Sequence, residues 1–301
     1  MTTTNTRKAS AKKTPAKKTA LRDVVAGGRT RDDSEGGIAV EDGAQQGGRE
    51  KDRQYVTALA RGLEVLRCFS PARPVLGTAD IARMTGLPQP TAWRLCYTLL
   101  QEGYLVPAER DKLRLGIPVL SLGYAVLGSA PIADLAKPEM QRIALKYQGA
   151  VSLGVRDGRD MVYLQRCQGS SIILSELRVG SRVPLATSVT GWAYIAGLGA
   201  AEREALFDEL ASEREWDKLR PKVEQALADY DRTGYVINKG SLHPQVNAVA
   251  VPLKSDDGRV LLSLSSGGIS QMFDDGRLQE VGAELRKLSA DLVPALGAAT
   301  L

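Results

Sequence analysis

Three polar side chains in one short run, Gln89, Thr91 and Arg94, have hydrogen-bonding groups that match the edges of DNA bases. Glutamine can form paired hydrogen bonds with adenine and arginine with guanine, while threonine offers its methyl to thymine or its hydroxyl to a phosphate. Pro90 stands between them and is tolerated in a first helical turn, where no amide hydrogen is needed. We therefore predict that these three side chains contact bases or nearby phosphates from the start of a helix.

Two short helical patterns position this run. The first opens at Thr78, whose hydroxyl can cap a helix, and ends at Gly86. Leu87 and Pro88 make a turn. The second pattern has apolar residues at three- and four-residue spacing, namely Ala92, Leu95, Cys96, Leu99 and Leu100. Two helices joined by a Gly-containing turn are typical of a helix-turn-helix, whose second helix can enter a major groove.

The flanking segments extend this pattern to a winged helix. An amphipathic helix precedes it, with a predicted apolar face of Val56, Leu59, Leu63, Leu66 and Phe69 that would cover the helix pair. Residues 104–106 and 113–115 read as two short strands around a charged turn. Arg61, Arg110 and Lys112 are placed to touch phosphate, and the alternative for each is ordinary solvated charge. Trp93 is predicted to pack in the small core, the alternative being contact with a sugar.

This arrangement resembles the IclR family of bacterial transcriptional regulators. The resemblance includes Leu59, Arg61, Gly62 and Leu63 at the start, the run 85–99, and the closing Leu115-Gly116. It continues to about residue 296 and leaves out only the first fifty or so residues. It implies a GAF-like C-terminal sensor domain that binds a small effector, and a homodimer or dimer of dimers on a double-stranded DNA operator.

The rest of the chain reads as an α/β (α+β) protein. The apolar run 117–128 predicts a helix that must be covered, and the resemblance makes it a linker that contributes to dimer contacts. Beyond it, strand-like and helical stretches suit one antiparallel sheet covered by helices. The expected domains are a disordered basic tail and linker (1–54), a winged helix-turn-helix (55–116), a linker helix (117–129) and a GAF-like effector-binding domain (130–301).

The resemblance also implies an effector site. The family's contacts fall here on Ile172, Val183, Val189, Thr190, Asn238, Val246, Ala248, Ser265 and Gly267. Thr190 and Ser265 could hydrogen-bond a carboxylate, Asn238 could select a polar substituent, and a helix opened by Gly191 could present its amides to an anion. The chain departs from the family in having Asn238 where an acidic residue is frequent, and Trp192 where a lysine is usual. The alternative for the whole set is apolar core with satisfied hydroxyls.

Composition excludes several other classes of protein. The 301 residues, 43% of them hydrophobic, suffice for two domains. No apolar run approaches the roughly 20 residues that span a membrane, and the polar, Lys-rich start lacks the apolar core expected of a secretory signal. We therefore expect a cytoplasmic, nucleoid-associated protein. Cys68, Cys96 and Cys167 are expected to be buried free thiols, and His243, the only histidine, has no obvious catalytic partner. No catalytic residue, metal site or cofactor is predicted.

The basic start of the chain leaves a second function open. It contains Arg7, Lys8, Lys12, Lys13, Lys17, Lys18 and Arg22 without an acidic residue among them. Such an arm either binds DNA phosphates regardless of sequence or is simply solvated. The main hypothesis is a sequence-specific regulator controlled by a carboxylate or aromatic acid. The alternative is a largely nonspecific architectural DNA-binding protein.

Overall fold

Three helices and a small sheet form the first part of the fold. The computed structural model describes residues 54–169, 177–213, 215–255 and 257–296 of the chain. The first elements are α1 (Thr57–Arg67), α2 (Thr78–Thr85), α3 (Gln89–Gln101), β1 (Leu105–Pro107) and β2 (Leu113–Leu115). β1 and β2 pair antiparallel, with Leu105 opposite Leu115. The predicted helix-turn-helix and wing are confirmed, with each wing strand within one residue of its expected position.

The ends of α2 have clear local causes. Gly77 precedes the helix, and its amide donates to the Asp80 carboxylate at 3.2 Å. Thr78 is the first helical residue, so the prediction that its hydroxyl caps the helix was wrong by one position. At the other end Gly86 has a φ of 68°, the left-handed conformation that stops a helix at little steric cost. The predicted end at Gly86 is confirmed.

Only part of the face predicted for α1 is buried: Phe69 lies in the small core and Leu66 packs against it. Val65, Cys68 and Phe69 are buried in the small core, which also contains Ile81, Cys96, Leu105 and Leu113. By contrast Val56 and Leu59 are 60% and 63% exposed. The reason is that α1 carries two apolar stripes, and only the residues near its C-terminal end meet α2 and α3. The N-terminal part of the predicted face, with Val56, Leu59 and Leu63, therefore stays open to solvent.

Helices α4 (Pro118–Gly128) and α5 (Pro131–Tyr147) follow the wing. No residue of α4 is buried in the chain, although the helix is mostly apolar. Within the described residues no single helix is long and apolar enough to cross a membrane. Only α4 and α5 taken together have the necessary length and composition, and a bend of 81° separates them.

One six-stranded antiparallel sheet organises the remainder of the chain. Its strands are β3 (Ala150–Asp157), β4 (Asp160–Gln168), β5 (Arg182–Pro184), β6 (Val236–Lys239), β7 (Val246–Lys254) and β8 (Val260–Ile269). They lie in the order β5-β4-β3-β8-β7-β6, and every neighbouring pair is antiparallel. The predicted single antiparallel sheet is confirmed. The sequence pattern also predicts a strand at 172–178, and most of that range lies outside the described residues.

Helices cover both faces of this sheet. The covering helices are α6 (Val189–Gly197), α7 (Ala200–Leu210) and α8 (Trp216–Thr233) on one face, and α5 with α9 (Asp275–Leu296) on the other. Successive strand residues point to opposite faces, which divides the interior in two. Along β7, for example, Val249 and Val251 join the core beneath α5 and α9, whereas Ala250 joins the core beneath α6. The face beneath α6 contains Thr190, Asn238, Ala248, Ser265 and Gly267 of the predicted effector set.

The three cysteines are free and buried, as predicted. Burial raises the pKa of the Cys68 and Cys167 thiols above the usual value, and it raises the pKa of Cys96 to about 11. The thiolate is the reactive form of cysteine, so these groups stay protonated and unreactive near neutral pH.

An ion-pair cluster joins α5 to α9 on the outer side of the sheet. Glu284 of α9 accepts hydrogen bonds from Arg142 and from Lys146, the second at 2.6 Å between Nζ and Oε1. The hydrogen bond from Arg142, followed by that from Lys146, lowers the pKa of the Glu284 carboxyl to about 2. A carboxyl with a lowered folded pKa stabilises the protein above its unfolded pKa, and that contribution is lost as the pH falls through the folded value.

Replacement Glu284→Gln is therefore expected to lower the free energy of unfolding by about 1 kcal/mol at pH 7, since both cations are about half exposed and screened. The loss should shrink as the pH falls from about 4.5 to about 2, where the wild-type carboxyl is itself protonated. Urea unfolding of both proteins across this pH range measures the difference in the free energy of unfolding. Glu280→Gln is the control, because Glu280 is exposed on α9 and forms no ion pair with a described residue. Equal losses for both variants at pH 7 would contradict the prediction.

Candidate functional site

Helix α3 presents its polar N-terminal turn to solvent. Its inner side is fixed by Ala92 and Cys96, which are fully or almost fully buried. Gln89 is exposed, and its Nε2 donates to the Thr78 hydroxyl at 3.3 Å, linking the starts of α3 and α2. Arg94 is exposed too, and its guanidinium forms no ion pair with a described residue. Thr91, which lies between them in the sequence, is half-buried. The three predicted side chains thus all belong to the first six residues of α3.

The wing holds two further predicted contacts. Arg110 and Asp111 have φ values of 55° and 58°, and the Lys112 amide donates to the Glu109 carbonyl at 3.3 Å. Two successive positive φ values in a four-residue turn match the twist of the flanking strands. Arg110 and Lys112 are exposed at this tip. Arg61 is exposed on α1, so the six predicted residues fall in three groups, and their contacts with DNA remain predictions.

Trp93 does not pack in the core as predicted. Its side chain is 51% exposed and stacks on Tyr97, with ring centroids 5.4 Å apart and planes 17° from parallel. Successive helical residues are turned by roughly 100°, so Trp93 points well away from buried Ala92. The inner positions of α3 hold small or medium side chains, and the large ring therefore lies on the outer face.

On the sheet face beneath α6, several predicted effector residues lie side by side. Asn238 pairs with Ala248, and Ala248 pairs with Gly267, which places three predicted residues in one row across β6, β7 and β8. Ser265 is on the same face of β8, two residues before Gly267. The hydroxyl of Thr190, on α6, donates to the Ser265 hydroxyl at 3.0 Å, and both residues are buried.

The polar groups of this face are largely satisfied by the protein. Asn238 is buried, its Nδ2 donates to the Thr187 carbonyl at 2.9 Å, and its Oδ1 accepts from the Ser241 amide at 3.1 Å. The Ser263 hydroxyl, by contrast, is buried without a hydrogen-bond partner among the described residues. Hydroxyls satisfied by the protein are what the alternative interpretation, an apolar core, predicts for this face.

The apolar members of the predicted set are more dispersed. Val183 and Val189 are buried with the side chains around α6, whereas Val246 is half-buried at the start of β7. Val183 lies on β5 at one edge of the sheet, four strands away from β7. Ile172 lies outside the described residues. The structure thus brings together Thr190, Asn238, Ala248, Ser265 and Gly267 more closely than the others.

Gly191 has a role different from the one predicted. The helix begins at Val189 and is capped by Ser188, whose Oγ accepts the Gly191 amide at 3.1 Å. The Gly191 amide is therefore already paired. A Cβ at this position would lie 2.6 Å from the Cα of Leu185, and closer still to its carbonyl oxygen. Trp192 is buried next to it and donates from Nε1 to the Ala186 carbonyl at 2.8 Å, so it serves as core.

Two residues that the sequence reasoning missed lie on the same sheet face. Ser152 of β3 is buried and pairs across the sheet with Ser265, and its hydroxyl accepts from Nη1 of Arg166 at 2.6 Å. Burial lowers the pKa of the Arg166 guanidinium, which nevertheless stays charged near neutral pH. The signal for Ser152 was a hydroxyl within the apolar run 150–155, whereas Arg166 has polar neighbours on β4 and gave no such signal.

Elsewhere in the described chain open grooves lie at the surface. A surface groove of about 760 Å³ lies between α5 and α9, beyond the opposite face of the sheet, and is lined mainly by charged groups such as Glu139 and Asp291. Among the described residues no group of three or more His, Cys, Asp or Glu side chains could hold a metal ion.

A winged helix-turn-helix followed by a helix-covered antiparallel sheet defines a class of DNA-binding regulators with a ligand-binding domain. Comparison with known families gives the same class. Residues 58–108 match the IclR helix-turn-helix domain, and residues 124–293 match the C-terminal domain of the bacterial transcriptional regulator IclR. The chain belongs to the IclR family of bacterial transcriptional regulators.

Individual relatives agree with this assignment. The HTH-type transcriptional regulator TsaQ1/TsaQ2 of Comamonas testosteroni is 30% identical over 259 residues, covering 83% of this chain and 92% of its own. The structure of an IclR family regulator from Brucella abortus is 38% identical with a TM-score of 0.74, over 84% of this chain and 97% of its own. An IclR homologue from Microbacterium hydrocarbonoxydans, solved with 4-hydroxybenzoate, is 25% identical with a TM-score of 0.64, over 80% and 99%.

Proposed function

We propose that this transcriptional regulator binds a palindromic operator as a dimer through α3 and the wing, and that a small organic acid bound beneath α6 controls this binding. The observation that carries the proposal is the exposed N-terminal turn of α3. It displays Gln89 and Arg94 to solvent on a helix-turn-helix, while the rest of that helix is fixed by the core. Side chains at the start of a recognition helix are the ones that contact base edges.

The proposed effector site rests on the hydroxyl groups beneath α6. Ser152 and Ser265 lie on the two central strands of the sheet, Thr190 of α6 bonds to Ser265, and the guanidinium of Arg166 bonds to Ser152. A carboxylate accepts hydrogen bonds from hydroxyl and guanidinium groups. The neighbour from Microbacterium hydrocarbonoxydans, bound to 4-hydroxybenzoate, supports an aromatic acid as one member of the class to test.

Asn238 provides a polar group on β6, two strands away from Ser265 on β8. Its amide is fixed by Thr187 and Ser241, so the group is held in one orientation by segments on either side. A fixed amide recognises a polar substituent at a defined position better than a freely rotating one. The proposed effector therefore has a carboxylate near Thr190 and a hydroxyl or similar group near Asn238.

The proposed dimer rests on two exposed apolar stripes. On α4 and the residue before it, Ile117, Leu120 and Tyr124 are 78%, 70% and 75% exposed at three- and four-residue spacing. Val56, Leu59 and Leu63 repeat this spacing on α1. Contiguous exposed apolar surface of this kind indicates an interface between proteins. A second copy of the chain would cover both stripes by two-fold symmetry and place two α3 helices on two half-sites.

Replacement Leu120→Glu is expected to weaken this dimer about tenfold or more, because a carboxylate would be buried without a partner at the interface. Sedimentation velocity over a range of protein concentrations measures the change. Leu135→Glu is the matched control, since Leu135 is 57% exposed on α5 outside both stripes. If Leu120→Glu stays dimeric at the same concentrations as wild type, α4 is not at the interface.

The proposed function is tested by binding of the full chain to the intergenic DNA beside its own gene, against scrambled DNA, while a panel of aromatic and aliphatic carboxylates is titrated. Preference for the intergenic DNA, altered by one acid in wild type and not in Thr190→Val, supports both parts. Thr190→Val removes the hydroxyl at constant shape. Binding that is indifferent to sequence and to every acid would contradict the proposal and favour the architectural alternative.

A further inference from the structure

Two aromatic side chains occupy the outer face of α3 beside the predicted base-reading residues. Trp93 and Tyr97 are 51% and 46% exposed, and their rings form a nearly parallel stack. Neither ring contributes to the small core, which is completed on α3 by Cys96 and by partly buried leucines. A large apolar surface is thus held in the open on the helix that defines the DNA-binding motif.

The stack is ordered before anything binds. Residues four apart on a helix lie on the same face, and the contact between the rings restricts the rotamers of both side chains. Ordered side chains lose less conformational entropy on binding than free ones. A rigid pair with most of its outer surface available therefore suits a recognition contact.

The surroundings of the stack favour DNA as the molecule that covers it. Helix α3 has no acidic residue between Gln89 and Gln101, and exposed Arg94 follows Trp93 directly. An acid-free helix with an exposed cation is compatible with approach to a phosphate backbone. Trp93 is also only four residues from the start of the helix, within the part that a helix-turn-helix inserts into the major groove.

We propose that the Trp93–Tyr97 stack reads the C5-methyl group of a thymine in each operator half-site. This contact rests on the proposed function, because it requires α3 to lie in the major groove. The thymine methyl is the apolar group that the major groove displays, and apolar side chains recognise it by direct contact. Gln89, Thr91 and Arg94 would supply hydrogen bonds to neighbouring base pairs, so the stack adds an apolar element to a polar code.

Deoxyuridine scanning of the operator tests this proposal. Each thymine of a half-site is replaced by deoxyuridine, which removes only the methyl and keeps all hydrogen bonds. We expect wild type to lose roughly fourfold in affinity at one position, the effect of one methyl-sized apolar group. Trp93→Ala should bind the unmodified operator more weakly than wild type and show no further loss at that position.

Two variants control the measurement. Gln101→Ala changes an exposed residue at the far end of α3 and should keep both the affinity and the deoxyuridine effect. Trp93→Phe keeps an aromatic ring and should restore part of the sensitivity that Trp93→Ala loses, which a merely misfolded variant would not do.

The outcomes separate this proposal from the proposed function. If wild type prefers the operator to scrambled DNA but no deoxyuridine position matters, the methyl contact is wrong and the stack covers another surface. The same conclusion follows if Trp93→Ala retains the full deoxyuridine effect. If wild type shows no preference for the operator, the proposed function fails, and the thymine contact fails with it.

Discussion

Replacement Arg94→Ala is expected to reduce affinity for the operator roughly 10- to 100-fold, the range for losing a paired contact with guanine, while affinity for scrambled DNA falls only a few-fold. Arg94 is exposed, makes no ion pair with a described residue, and is the sixth residue of α3. Its removal therefore disturbs neither the core nor another side chain. The expected loss is one of recognition rather than of stability.

Fluorescence anisotropy with operator and scrambled duplexes at two salt concentrations measures this loss. Lys112→Ala is the control, because Lys112 lies at the tip of the wing and is predicted to touch phosphate. That variant should weaken both duplexes alike and lower the salt dependence. An equal loss on the two duplexes for Arg94→Ala would mean that Arg94 contacts only the backbone.

The helix-turn-helix could be predicted from sequence because its signals are local. Gly86 stops α2 through a backbone conformation that glycine adopts readily, and the spacing of apolar residues on α3 selects its inner face. The packing of α1 could not be predicted in the same way. Its sequence carries two apolar stripes, and which of them faces α2 depends on tertiary contacts.

The exposure of Trp93 could not be predicted from its residue type alone. Large aromatic residues usually contribute buried area, which favoured the core, yet the neighbouring inner position on α3 is taken by Ala92. The angular position of a side chain on its helix, rather than its hydrophobicity, decides its burial here. An exposed aromatic pair on the outer face is then a feature that requires its own explanation.

The effector face could be predicted only in part. The family resemblance identified Asn238, Ala248 and Gly267 as candidates. That they form one row depends on the register of β6, β7 and β8, which the sequence does not show. Ser152 and Arg166 were missed because they lie on β3 and β4, and the pairing of β3 with β8 is not visible in the sequence. Sheet order converts residues that are distant in the chain into neighbours.

A substitution at Gly191 would affect both the stability of the fold and the proposed effector site. It is the third residue of α6, directly after Thr190, and the backbone of Leu185 lies where a side chain would begin. The nearest neighbours of an added Cβ are backbone atoms, which cannot rotate away as a side chain could. The start of α6 would have to move, and with it the Thr190 hydroxyl that bonds to Ser265.

Gly191→Ala is therefore expected to lower the free energy of unfolding by about 3 kcal/mol, the upper part of the usual range for overpacking, and to abolish the response to the effector. Thermal and urea unfolding measure the first effect, and effector titration of the folded variant the second. Gly276→Ala is the control, since a Cβ at Gly276 on α9 meets its nearest atom at 3.6 Å, an ordinary contact. Equal stability of the two variants would show that α6 can shift to accept a side chain. Loss of stability with an intact effector response would instead place the binding site away from Thr190.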